Sequence, residues 1–244
     1  MRSLAGFNFS FTPNWRMSLL AFFAILLFLS LGFWQIQRAD EKKQMLMVHQ
    51  AYDQQQPMVW QPGSKPPEQY QQVKVEGSFL PQILLLDNQH YHHHFGYHVI
   101  SPLRLMNGQV VLVDRGWIAG DITRQTLPTA DTPTDPVTLV GSAYYPSEKS
   151  WLLGSLIEKE QTNIAVVELV DTALISQFLH KSVYPFMIRL GKQEANGYKR
   201  EWAIIAMPPQ RHYAYALQWF GIALIVLILF VVLNIKKTHE NCSS

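Results

Sequence analysis

The residues best able to do chemistry in this chain are its nine histidines, and two placements among them stand out. His212 sits alone at the start of a long apolar run, after Arg211, with Tyr215, Trp219 and Ile222 following on one helical face. Leu31, Trp34, Gln35 and Arg38 share a face in the same way at the end of an earlier apolar run. An imidazole, apolar walls and a cation are the parts a haem requires: an axial nitrogen, cover for the ring and a charge for the propionates. His212 could supply the first, Trp34, Tyr215 and Trp219 the second, and Arg38 or Arg211 the third. The same residue types also anchor and snorkel at the interface of any two-span membrane protein. Both readings stay open on position alone.

The other placement is a cluster. His90, His92, His93, His94 and His98 fall within nine residues. If the segment is extended, His90, His92 and His94 share one strand face, a donor set suited to copper, nickel or zinc. The tract reads as a loop, however, and adventitious metal affinity is the favoured reading. Arg115-Gly116-Trp117 likewise has two readings, a propionate or partner contact and a structural corner in which glycine permits close backbone approach. The structural one is favoured.

The elements that position these residues are two uncharged apolar runs. Met17–Gln37 gives 21 residues without Asp, Glu, Lys, Arg or His, and Tyr213–Ile235 gives 23. At roughly 1.5 Å per residue these make helices of about 31 and 34 Å, enough for a hydrocarbon core of ~30 Å. The first run ends in Leu31-Gly32-Phe33-Trp34-Gln35, without an A-x-A-like cleavage site, and so reads as an uncleaved anchor. The sequence therefore divides into an N-terminus (1–16), a first span (17–37), a middle domain (38–212), a second span (213–235) and a tail (236–244). Both termini lie on one side. Charge does not choose that side, because long loops translocate largely regardless of charge.

The middle domain reads as β-rich with one small helix. Residues 73–78 alternate apolar with polar, and residues 98–105 and 109–117 flank the Asn107-Gly108 hairpin signal. Residues 137–145, 163–169 and 185–191 read as further strands. Asp171 is placed to cap a helix bearing Leu174, Ile175, Phe178 and Leu179. The fold class expected is membrane α+β, two transmembrane helices bracketing a β-rich domain.

A net charge of +2 without a basic stripe argues against a nucleic-acid partner. No G-x-S-x-G, P-loop, H-E-x-x-H or dinucleotide fingerprint is present, so no enzyme class is indicated. The single cysteine, Cys242, lies in the tail, so the middle domain forms no disulfide.

Five short patches, in order, resemble the Surfeit locus protein 1 family. Leu31-Gly32-Phe33-Trp34-Gln35-Ile36-Gln37-Arg38 is similar to its LGxWQxxR signature, and Gly77-Ser78-Phe79 to its GxF element. Gly96–Leu103 resembles GyHVxxPL, Val113–Ile118 resembles V-[ND]-RGW-[IV], and His212–Gly221 resembles HxxYxxTWFG. Glu41, Arg211 and Gln218 depart from residues common in the family. The resemblance implies an assembly factor for haem-copper cytochrome c oxidase, not an enzyme, that binds haem A transiently or presents it to the catalytic subunit. It implies a bacterial inner-membrane location with an extracytoplasmic domain and cytoplasmic termini. The partners it implies are the membrane, the oxidase catalytic subunit and haem A synthase. A histidine-cluster metal chaperone and a cofactor-free scaffold are the alternatives.

Overall fold

The computed structural model describes residues 8–146, 157–161 and 163–238. In chain order the elements are β1 (Asn8–Phe11), α1 (Trp15–Asp53), β2 (Met58–Val59), β3 (Gln72–Phe79), β4 (Ile83–Tyr91), β5 (His94–Arg104), β6 (Val110–Ala119), β7 (Val137–Tyr144), β8 (Ile157–Gln161), β9 (Ile164–Val167), α2 (Thr172–Leu179), β10 (Val183–Leu190), α3 (Pro209–Asn234) and β11 (Ile235–Thr238). They fall into two compact units. One holds the described residues up to Met47 and from Ile204, and the other is Val48–Ala203.

In the first unit α1 and α3 are both long and apolar enough to cross a membrane. The Asn14 side chain caps α1 by accepting from Arg16 N (3.0 Å). Two prolines, Pro208 as N-cap and Pro209 in the first turn, start α3, where a missing N–H costs nothing. The helices meet on faces of small residues: Gly32 and Ala39 of α1 are buried, as are Ala216 and Ala223 of α3. A Cβ on Gly32 would stand 2.4 Å from the Phe220 ring, so glycine is what lets that ring approach. β1 pairs antiparallel with β11, from Asn8↔Thr238 to Phe11↔Ile235. The apolar run of the first span ends at Gln37, but α1 continues to Asp53. Residues 38–53 contain no glycine or proline and many strong helix formers, so nothing local ends the helix.

The second unit is built on a nine-stranded sheet in the order β2-β3-β7-β10-β6-β5-β4-β9-β8. An additional pairing of β3 with β5, Ser78↔Arg104 and Phe79↔Leu103, closes β3, β7, β10, β6 and β5 into a barrel-like ring. Alternate residues of each strand fill its interior: Val73 and Val75, Leu103, Val111 and Val113, Leu139, and Phe186, Ile188 and Leu190, with Trp60 packed among them. The opposite face of β6, Val110 and Leu112, packs with Leu84, Ile100 and Met187 against Ile175 and Leu179 of α2. Strands buried on both faces carry continuous apolar runs, and this explains Ile83–Leu86 of β4, which alternation does not reveal.

Two local expectations hold closely. Asp171 accepts from Ala173 N (2.9 Å) and Leu174 N (3.0 Å), capping α2, and Ile175 and Leu179 are its buried face. Asn107-Gly108 turns β5 into β6, with Gly108 at φ +83°. Asp171→Ala should lower the unfolding free energy by about 1 kcal/mol, as loss of an N-cap usually does. Urea titration of the purified protein reads this, and an unchanged midpoint would show that the cap is redundant.

Candidate functional site

His212 lies in the first turn of α3 and is 7% exposed. Its Nδ1 stands 2.8 Å from the side-chain oxygen of Gln35 on α1. A carbonyl oxygen only accepts, so Nδ1 donates the proton in this contact, and in the neutral imidazole Nε2 then keeps its lone pair. That Nε2 is buried and has no hydrogen-bond partner among the described residues. One residue on, the Tyr213 hydroxyl donates to Asp40 Oδ1 (2.8 Å). Deeper along the pair, Trp219 stacks on Phe28 with ring centroids 5.8 Å apart and planes at 15°. Phe220 meets Phe33 edge-on at 5.4 Å.

Only part of the site read from the sequence is brought together. His212 and Gln35 meet, and Trp219 is in the helix contact. Trp34 and Tyr215 remain exposed, off that contact. Arg38 lies 5.7 Å over the Trp34 ring, and its guanidinium donates to Glu41 Oε2 at 2.8 Å. Its charge is therefore already paired. Arg211 is exposed, and its side chain has no ion pair or hydrogen bond among the described residues. Of the two arginines, Arg211 is thus the one open to an anionic group. Gln35, noted in the sequence only as a face residue, is the partner that sets the tautomer of His212. A hydrogen bond spanning 177 residues leaves no local signal.

The arrangement offers one oriented imidazole whose Nε2 has no partner among the described residues, held by an outer hydrogen bond of the kind that fixes ligating histidines. That donor chemistry would suit a haem iron, with the Trp219–Phe28 stack deeper along the helices and the cation of Arg211 next in sequence.

The histidine cluster takes a different shape from an extended strand. β4 ends at Tyr91 and β5 begins at His94, while His92 and His93 form the corner with φ +47° and +67°. His90, His92 and His94 therefore do not share a strand face, because a tight turn reverses the chain between them. His92 Nε2 lies 3.8 Å from Glu201. No group of three or more His, Cys, Asp or Glu converges on a metal position among the described residues.

The β-domain motifs are structural. His98 on β5 pairs with Asp114 on β6 (Nδ1 to Oδ2, 2.9 Å), and the other Asp114 oxygen accepts from Gly116 N (3.1 Å). Arg115 is 1% exposed and donates to the carbonyls of Asn196 (2.7 Å) and Asp131 (2.6 Å) and to Ser101 Oγ (3.3 Å). Burial pushes its guanidinium below the usual arginine range, opposed by the charges around Tyr198 and Asp131. The Trp117 indole donates to the Gln89 carbonyl (3.1 Å).

Residues 22–224 match the family model described as the SURF1 family. The chain belongs to the SURF1 family. That is a family of cytochrome oxidase assembly factors, and the match takes in most of both helices and the whole ring. The SURF1-like protein of Rickettsia conorii is similar at 25% identity over 233 residues, covering 89% of this chain and 90% of that protein. The SURF1-like protein of Rickettsia felis is also 25% identical over 233 residues, covering 89% and 96%. That of Rickettsia prowazekii is 24% identical over 244 residues, covering 89% of each. In this SURF1 chain the outer motifs lie on the helices, 31–38 on α1 and 212–221 on α3, and the inner ones on β3, β5 and β6.

Proposed function

We propose that this SURF1-family membrane protein serves maturation of a haem-copper cytochrome c oxidase by holding haem A at His212 on its way to the catalytic subunit. The observation that carries the reading is the buried, unpartnered Nε2 of His212, with Nδ1 held by Gln35. Haem A, when bound, supplies the iron that an imidazole nitrogen ligates. The protein's own part is positional. Gln35 fixes the tautomer and ring angle of His212, Trp219 and Phe28 give an apolar wall, and Arg211 offers a cation to a propionate. His212 would be the one imidazole this site offers the group, which suits transient holding. In this reading the protein lies in the bacterial inner membrane with residues 38–212 outside the cytoplasm and both termini inside. The oxidase catalytic subunit and haem A synthase are its partners on either side of the transfer.

The test is spectroscopic. Protein purified from a host that makes haem A should carry a Soret band, and His212→Ala should abolish it while the protein accumulates normally. Gln35→Leu leaves the ligand but not its orientation, and should weaken haem retention by about 10–100-fold, as loss of an outer hydrogen bond to a ligand typically does. Haem-free wild type in that host would favour a cofactor-free assembly scaffold. An unchanged spectrum in His212→Ala would remove this residue as ligand.

A further inference from the structure

A second site candidate lies wholly within the β-rich unit, on the outer face of the ring. Residues paired across adjacent strands put Gln72 of β3, Ser142 of β7, Arg189 of β10 and Asp114 of β6 in one row. Side chains at paired positions stand on the same face of a sheet. Neighbouring Ile188 and Leu190 point into the ring, so Arg189 points out of it. There it lines a cleft of about 520 Å³ together with Gln72, Ser142, Lys192 and Trp202.

Arg189 is held but not paired. Its guanidinium carbon lies 3.5 Å from the Tyr144 ring centroid and 5.5 Å from that of Trp202. Stacking of this kind covers the faces of the guanidinium and leaves its in-plane N–H groups as donors. Yet Nε is buried with no acceptor, and the side chain makes no hydrogen bond or ion pair among the described residues. The carboxylate next to it in register, Asp114, spends its oxygens on His98 Nδ1 and Gly116 N. Ser142 is 7% exposed, and its hydroxyl has no hydrogen-bond partner among the described residues. Trp202 directs its own N–H to the Leu190 carbonyl (3.1 Å), so it serves as a wall and not as a donor.

A fixed guanidinium fork, a hydroxyl and an amide, all without acceptors in one row, match the two oxygens of a carboxylate. Two carboxylates, Asp53 and Glu194, also line the cleft and disfavour a dianion there. We propose that this cleft binds a carboxylate group, with Arg189 as its principal donor and Ser142 as the second. A small carboxylic acid and an acidic side chain of a protein partner present the same chemistry, and the experiment separates them.

The full-length protein in detergent, labelled with 5-fluorotryptophan, gives a resonance for Trp202 assigned by its loss in Trp202→Phe. It is titrated with butyrate, with an N-acetylated, amidated Gly-Glu-Gly peptide, and with inorganic phosphate. The expected result is a saturable shift with at least one carboxylate and none with phosphate. A response to butyrate alone identifies a small acid, and a stronger response to the peptide identifies a protein side chain. Arg189→Gln should weaken the response by about tenfold or more, as loss of a charge-assisted bond does. Arg189→Lys keeps the charge without the fork, should weaken it similarly, and serves if the glutamine variant does not fold. No saturable shift in wild type, an equal shift with phosphate, or an unaltered response in both arginine variants would overturn the proposal.

Discussion

Arg115→Leu should destabilise the β-rich unit by about 2–4 kcal/mol, through the loss of three hydrogen bonds from a buried charged donor. Arg115 is 1% exposed and ties three distant points to β6. Its donors satisfy the carbonyls of Asn196 and Asp131 and the hydroxyl of Ser101. Its guanidinium also lies 5.5 Å over the Phe79 ring and 5.1 Å over the Tyr198 ring. Leucine replaces the stem but leaves those acceptors facing apolar atoms. Arg115→Lys should recover only part of the loss, because one ammonium cannot reach all three acceptors. Urea unfolding of the purified protein, followed by tryptophan fluorescence, measures both. A loss below about 1 kcal/mol for the leucine variant would mean that water replaces the side chain, and would return Arg115 to consideration as a binding residue.

Gly116→Ala, one residue on, should cost about 2–4 kcal/mol through a different cause. Gly116 has φ +110°, a conformation that L side chains rarely adopt, and a Cβ there would stand 2.6 Å from the Lys199 carbonyl oxygen. That oxygen also accepts from Trp117 N at 2.7 Å, so it cannot retreat without loosening the Trp117–Lys199 bridge that, with Tyr198 N donating to the Arg115 carbonyl (2.7 Å), ties β6 to the segment after Gly197. Gly63→Ala separates strain from clash. Gly63 has φ +88° with nothing within 4 Å of its Cβ position, and alanine there should cost only about 1 kcal/mol. Equal losses at the two positions would show that backbone strain alone decides, and that the close approach to Lys199 contributes nothing.

What the sequence determined by itself was everything whose cause is local. An uncharged run of about twenty residues needs no partner to declare a span, and α1 contains the first run and α3 all of the second but its last residue. Asp171 caps the helix that begins one residue later, and Asn107-Gly108 turns a hairpin, because both act within four residues. The ordered motifs were legible in the same way, and the family match over residues 22–224 agrees with them.

Tertiary structure decided what joins residues far apart. Closure of the ring depends on β3 meeting β5, and β10 lies parallel to β6 across some seventy intervening residues. Alternation within a strand cannot name its neighbour. His212 was visible as a lone imidazole, but Gln35, which leaves Nε2 with its lone pair, is met only when two helices pack. Arg38 and Arg211 were alternative cations in the sequence, and the structure pairs Arg38 with Glu41, three residues along its own helix. The histidine tract looked like a ligand set only while it was extended, and the left-handed corner at His92 and His93 turned it into a hairpin tip. Side-chain type and spacing state what a residue can donate or accept. Which donor or acceptor remains unpaired is settled by the packing that brings partners to all the others, and at His212 and Arg189 that packing leaves one buried nitrogen each without a partner among the described residues.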